Sequence, residues 1–390
     1  MSSPATTQQI EKRIDIHYLI RAFLKYSASD LHLRKNRPPL YRIHGKLLPA
    51  SMPEFSEEQI HAVLDPIIPN EYKEKLKKNR QIDFTFEAQE HGRFRCNVFY
   101  FMNSLGAVLR RIPFEIPSYD SLRAPQVLKE LVQKNKGLLL VTGATGSGKS
   151  TTMASLIQFL NETQRLHIVT IEDPIEFVFK DQKSVITQRE LGSDFNSLNE
   201  ALTSALRQDP DIIVVGEMRD FETFRTALTA AETGHLVIST LHTNDAKSAL
   251  DRVLDMFPPE QKNQTRAQLA ASLVGISAQQ LLLRADGKSR VLASEVMVKS
   301  PSIENCIRRG QHEEIPDLMA SSGNYYKMQT MNMDLEKLVR TKAITLKEAL
   351  ACSNNPDNLK LRFSGVDRTE GYDVRAEDMS IPTNKPDDTT

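Results

Sequence analysis

The run Gly143-Ala144-Thr145-Gly146-Ser147-Gly148-Lys149-Ser150 constrains this chain more than any other stretch. It follows Gly137 to Val141, which reads as a short buried strand. It precedes Ser150 to Leu160, where Met153, Leu156, Ile157 and Leu160 fall at helical spacing. G-x-x-x-x-G-K-[ST] between a strand and a helix is the Walker A pattern. Its glycines let successive backbone N–H groups turn inward around phosphate oxygens, which a Cβ would obstruct. The helix N-terminus adds donors and positive dipole character. Gly143, Ala144, Thr145, Gly146, Ser147, Gly148, Lys149, Ser150 and Thr151 are therefore the expected nucleotide-binding residues. Lys149 reaches toward the β- and γ-phosphates, and Ser150 offers its hydroxyl to Mg²⁺. The chain is expected to bind a nucleoside triphosphate.

Bulk properties limit the alternatives. A chain of 390 residues accommodates two or three domains with proper cores. Its 50 basic and 50 acidic residues cancel, so no global basic field exists, and nucleic acid is not an expected partner. Cys96, Cys306 and Cys352 are too scattered for a disulfide framework or a zinc site. Met1 to Gln9 lacks an apolar segment of the secretory kind, and no apolar run reaches membrane-spanning length. These features predict a soluble, cytoplasmic protein.

The pattern along the chain divides it. Residues 1–112 predict a small α+β domain. Ile14 to Tyr26 is amphipathic, alternation runs from Leu31 to Leu47, and Ser56 with Gln59 forms a capping-box pattern opening a second helix. Glu71 to Arg80 reads as a solvated, lysine-rich helix. Phe84 to Phe86, Arg93 to Phe101 and Val108 to Ile112 read as strands. Residues 113–125, with three prolines, predict an interdomain linker that serves as a hinge. In 126–352, short apolar strands at 138–141, 166–171, 212–215 and 236–240 alternate with helices, which predicts an α/β fold with a mostly parallel sheet covered on both faces. Ser197 with Glu200 is a second capping-box pattern, and 262–351 reads as mainly helical. Residues 353–390 are polar and predict a disordered tail.

Hydrolysis requires more than a phosphate cradle: a carboxylate for the metal or the attacking water, and cations for the developing charge. Asp211-Ile212-Ile213-Val214-Val215-Gly216-Glu217 is a buried strand ending in an acid, the Walker B arrangement, with Glu217 one residue later than the usual aspartate. Glu172, Asp173 and Glu176 follow another strand, where a general base belongs. His242 and Thr243 close a third strand, with His235 at its opposite end.

Four segments, GATGSGKST (143–151), TIEDPIEF (170–177), RQDPDIIVVGEMRD (207–220) and GHLVISTLHTNDA (234–246), together resemble the type II/IV secretion ATPase superfamily, and within it the PilT/PilU branch of type IV pilus retraction motors. Ala28 to Leu33 is similar to the family's N-terminal ASDLH signature, and Arg93-Phe94-Arg95 to its RFR strand. The resemblance implies a PAS-like N-terminal domain, a RecA-like ATPase domain and a homo-hexamer. It also implies ATP with Mg²⁺ held through Ser150 and Glu217. Glu217, Glu172, His242 and Lys149 would be catalytic, with Arg93, Arg95, Arg110 and Arg111 as arginines acting across domains. Implied partners are an inner-membrane pilus platform protein and a PilT-like paralogue, at the cytoplasmic side of the membrane.

The tetracysteine motif of assembly and type II secretion ATPases is absent from the sequence, which favours retraction over extension. Ala144 and Gly106 to Arg111 lean toward PilU, and Ser302 to Arg309 departs from the AIRNLIRE pattern of PilT. Other readings weighed on the same residues are a pilus-assembly or type II secretion ATPase, a nucleic-acid translocase, and a weakly hydrolysing ATP-binding regulator of a partner motor.

Overall fold

A computed structural model of the chain describes residues 15–43, 45–88, 91–112 and 115–364. The expectation for Met1 to Gln9 and that for the tail beyond 364 lie outside these residues. Two compact units emerge, residues 1–116 with 174–179 and residues 117–173 with 180–390. Residues 174–179 thus group with the first unit, although their sequence position lies within the second.

The first unit contains α1 (Ile16–Lys25), β1 (Asp30–Arg34), β2 (Leu40–Ile43), β3 (Lys46–Pro49), α2 (Glu57–Leu64), α3 (Asn70–Asn79), β4 (Gln81–Glu87), β5 (Arg93–Phe101) and β6 (Ser104–Arg111). The strands form one antiparallel sheet in the order β3-β2-β1-β6-β5-β4. Asp15 caps α1 by accepting the Tyr18 N–H, and Leu19, Ile20 and Phe23 bury its apolar face. Phe23 meets Phe94 edge-on with ring centroids 5.4 Å apart, joining helix to sheet. The capping box expected at Ser56 is formed: Ser56 accepts the Gln59 N–H while the Gln59 side chain accepts the Ser56 N–H.

The second unit follows the order α4 (Val127–Leu131), β7 (Gly137–Thr142), α5 (Lys149–Thr163), β8 (His167–Glu172), β9 (Val185–Glu190), α6 (Leu198–Ala205), β10 (Ile212–Val215), α7 (Phe221–Glu232), β11 (Leu236–Leu241), α8 (Ala246–Asp255), α9 (Lys262–Ser272), β12 (Leu273–Leu283), β13 (Arg290–Val298), α10 (Pro301–Arg309), α11 (Ile315–Tyr326), α12 (Met331–Arg340), α13 (Leu346–Cys352) and α14 (Pro356–Ser364). Its sheet runs β13-β12-β7-β11-β10-β8-β9, parallel except for the β12–β13 pair. Every residue of β7, β10 and β11 is buried, as a parallel sheet covered on both faces requires.

Four expectations change. The region 262–351 is not mainly helical, because β12 and β13 form a long antiparallel pair within it. The segment 117–125 does not hang free as a hinge. Ser155 donates its hydroxyl to the Pro117 carbonyl, Tyr119 donates to the Pro125 carbonyl, and Arg123 pairs with Asp334. Residues 353–364 are not disordered: α14 packs Leu359, fully buried, into a cluster with Leu335 and Leu338 of α12. Ser197 does stand at the N-cap of α6, but its side chain makes no capping hydrogen bond.

Candidate active site

The loop from Gly143 to Gly148 joins β7 to α5, with φ of 144° at Gly143, 81° at Gly146 and 94° at Gly148. All three lie in the region that favours glycine. Space matters as well at Gly143, where an added Cβ would come within 2.4 Å of the Gln279 carbonyl oxygen and of Ser147 Oγ. The N-cap of α5 is Gly148, with no side chain capping the first turn, so the turn's backbone N–H groups suit an anion. Lys149 Nζ donates to the carbonyls of Gly143 at 2.8 Å and Ala144 at 3.0 Å, which curls the loop around its own ammonium. Ser150 and Thr151 sit partly exposed on the first turn.

Register brings the acids and the histidine to this loop. Thr142 pairs with Leu241, Ser239 with Val215, and Val215 with Ile171, so β7, β11, β10 and β8 end along one edge of the sheet. Ser239 and Thr240 lock the order by donating their hydroxyls to the carbonyls of Val215 and Gly216. At this edge Glu217 Oε1 lies 3.2 Å from His242 Nε2, and Arg219 donates to Glu217 Oε2 at 2.7 Å. Burial raises the Glu217 carboxyl, but Arg219 and His242 outweigh it and hold the group below its ordinary value. Glu172, at the end of β8, accepts from Thr170 Oγ1 at 2.6 Å and from Gln188 at 3.1 Å. His235 stands at the other end of β11, near the Ala230 carbonyl, away from this edge. Glu176 falls in the segment 174–179 that groups with the first unit.

Arg219 and Gln279 escaped sequence reasoning. Arg219 stood within the Walker B stretch, and its position two residues after Glu217 was the available signal. Gln279 had none, because its segment was read as helical. It is fully buried beside the loop, and its Oε1 accepts from Thr152 of α5 at 3.2 Å.

A buried carboxylate supports the histidine loop from behind. Glu295 of β13 accepts the N–H of Ala246, the first residue of α8, at 2.8 Å and that of Met331, the first residue of α12, at 3.2 Å. Burial outweighs these donors and pushes Glu295 up to about 7 from 4.5. As pH rises, the unfolded chain releases this proton first, so stability falls between about 4.5 and 7 and levels off above. The loss is on the order of 3 kcal/mol. Glu295→Gln removes the titration, so thermal melts from pH 4.5 to 8 are expected to show wild type losing ground to the variant as pH rises. A pH-independent difference would refute the assignment.

In the first unit, cross-strand register aligns Arg42, Asp30, Arg110, Arg95 and Thr85 in one row across β2, β1, β6, β5 and β4. Asp30, buried, lies 2.7 Å from Arg110 Nε and 3.4 Å from Arg42 Nε, so it organises both. Burial pushes its carboxyl up, while Arg110 and Ser29 prevail and keep it below the ordinary value. Arg95 adds a longer contact of 3.8 Å to Asp83. Arg93, two residues from Arg95, shares that face of β5, whereas Arg111 pairs with Phe94 on the opposite side. Arg42 is the arginine that sequence reasoning missed.

A glycine-lined anion loop, an acid two strands away and a histidine between them define a P-loop nucleoside triphosphatase of the α/β class. A sequence model for "Type II/IV secretion system protein" matches residues 5–354, and the chain belongs to that family. The type IV pilus retraction ATPase PilT of Pseudomonas aeruginosa is 42% identical over 88% of this chain and all of its own length. The type IV pilus ATPase PilU of the same organism is 37% identical over 89% of this chain and 91% of its own. A crystal structure of the pilus retraction motor PilT with bound ADP superposes with a TM-score of 0.85 at 44% identity, covering 89% of this chain and 99% of that one.

Proposed function

We propose that this chain is an ATP-hydrolysing motor that drives or assists type IV pilus retraction, acting as a homo-hexamer at the cytoplasmic side of the inner membrane. The observation that carries the hydrolytic reading is the Glu217–His242 contact at the sheet edge that also holds the phosphate loop. Similarity to PilT and PilU over nearly the full length of all three supports the mechanical one.

Gly143 to Thr151 hold the phosphates, with Lys149 swinging from the loop carbonyls to the β- and γ-oxygens. Glu217 orients the attacking water and accepts its proton, while His242 at Oε1 and Arg219 at Oε2 fix the carboxylate. Glu172 polarises the same region from the end of β8. Ser150, through its hydroxyl, and Glu217 would hold Mg²⁺, which would supply neutralisation of the phosphate charge. Of the first unit's arginines, Arg110 and Arg42 are ordered by Asp30 and Arg95 stands in register with Arg110, which makes these three the candidates to neutralise charge. Arg93 shares their face and Arg111 does not. The hinge narrows to residues before Pro117, because 117–125 is fastened within the second unit. An inner-membrane platform protein receives the motion, and a PilT-like paralogue shares the work if the PilU lean of Ala144 holds; overall identity, 42% to PilT against 37% to PilU, runs the other way.

Deleting the gene in a piliated host separates the readings. Retraction predicts lost twitching with surface pili accumulating, and assembly predicts bald cells. Unchanged pili and motility would end the pilus proposal.

A further inference from the structure

The loop that carries His242 is anchored at both ends, and one anchor belongs to β13, a strand with no part in the hydrolytic reading above. His242 to Asp245 join β11 to α8, and a connection this short passes a movement of one end to the other. At its start, Leu241 is held by pairing with Thr142 of β7. At its far end, Asp245 caps α8 by accepting the Ser248 N–H at 2.6 Å, and the Ala246 N–H donates to Glu295 Oε1 at 2.8 Å.

Three successive residues of β13 hold the start of α12. The Ser294 N–H donates to Asp334 at 2.9 Å, Glu295 Oε2 accepts the Met331 N–H at 3.2 Å, and Val296 exchanges backbone hydrogen bonds with Gln329 at 2.8 and 3.1 Å. Asn332, in the same turn, donates to the Asn355 carbonyl at 2.9 Å and accepts from the Ser353 hydroxyl at 2.6 Å, which fixes the loop leading to α14. Asn354 of that loop donates in turn to Asp245 at 3.4 Å. The first turn of α12 and the start of α8 are thus joined twice, through Glu295 and through Asn354.

The residue type at this junction is not interchangeable. Two backbone N–H groups converge on one buried side chain, and a carboxylate is the group that offers two acceptor oxygens and no donor. An apolar residue would leave both N–H groups bare, and an amide would turn its own NH₂ toward one of them. We infer that Glu295 is a positioning residue for hydrolysis: by seating α8 and α12 on its two oxygens, it makes the first turn of α12 the abutment that holds His242 against Glu217. The C-terminal helices thereby become a control point for turnover, because a shift of α12 is passed to the loop that carries the histidine. This rests on the roles given above to Glu217 and His242 and adds what keeps the two together.

The test compares ATP turnover of the full chain at pH 8, counted per ADP-binding site from titration calorimetry so that unfolded protein is not scored. At that pH the Glu295 carboxyl, pushed up to about 7 by burial, is mostly ionised and both oxygens accept. Glu295→Gln is expected to lower turnover about tenfold with ADP affinity within about twofold, since a small misplacement at a reacting centre is costly. His242→Asn is expected to lose at least as much. Adding Glu295→Gln to it is expected to change turnover by less than about twofold, because the positioned group is already gone. Turnover within about twofold of wild type in Glu295→Gln alone would overturn the assignment. The same loss repeated in the His242→Asn background, or a parallel loss of ADP affinity, would also overturn it, since either makes Glu295 a general support of the fold. Wild-type turnover in His242→Asn would instead defeat the reading of His242 on which the inference stands.

Discussion

Glu217→Gln is expected to lower ATP turnover about 10³-fold while leaving ADP affinity within about twofold. The side chain keeps its size, so packing at the end of β10 is preserved. Its uncharged amide no longer takes a proton from water, and general-base catalysis of this kind contributes 10²–10⁴-fold. Arg219 and His242 hold Glu217 below the ordinary carboxylate value, so the wild-type group stays ionised through the physiological range and its loss is a loss of charge. Lys149→Ala supplies the contrast. In the proposed mechanism its ammonium serves the phosphates in ground state and transition state alike, so affinity and turnover are expected to fall together. Steady-state ATPase assays with ADP titration distinguish the pair. Turnover within tenfold of wild type in Glu217→Gln would remove Glu217 from water activation.

What the sequence made legible follows from how local each signal was. The phosphate loop is contiguous, and β7, β10 and β11 are apolar at every position because both faces are covered. That Glu217 and His242 would meet was also readable, because parallel strands in register deliver their C-terminal residues to one edge. β12 was not readable as a strand. Gln279 to Leu283 consists of Gln and Leu, residues at ease in a helix, and the strand geometry of β12 comes from pairing with β7 and β13 on its two sides. β9, at the sheet edge, lacks an apolar run because most of its residues are only partly buried. The row of arginines depended on cross-strand register, in which Asp30 recruits Arg42 and Arg110 from different strands. The proline-rich segment 113–125 has the composition of a linker, and what fastens it is a residue 211 positions away from Arg123.

That fastening carries the largest expected effect on stability: Arg123→Ala is expected to cost the second unit about 4 kcal/mol. Asp334 is 3% exposed at the start of α12, and its oxygens accept from Arg123 at 3.0 and 3.1 Å and from the Ser294 N–H at 2.9 Å. Arg123 also donates to the Leu292 carbonyl at 3.0 Å, so one guanidinium ties the segment to both β13 and α12. Removing it leaves a buried carboxylate with the single Ser294 donor, the costly direction in which to break such a pair. Asp334→Ala is expected to cost less, about 3 kcal/mol, because Arg123, 37% exposed, turns to water. The double variant should cost markedly less than the sum, since the second change removes the group stranded by the first. At 2–4 °C per kcal/mol for a unit of this size, Arg123→Ala lowers the melting temperature by about 10 °C. Protease cleavage between 117 and 125 is expected to accelerate in the same variant, because the segment loses its tie to α12 and β13 and is left with the Ser155 hydrogen bond to Pro117. A melting shift below about 2 °C, with cleavage unchanged, would show that the segment is held by its apolar contacts alone and that the ion pair is incidental.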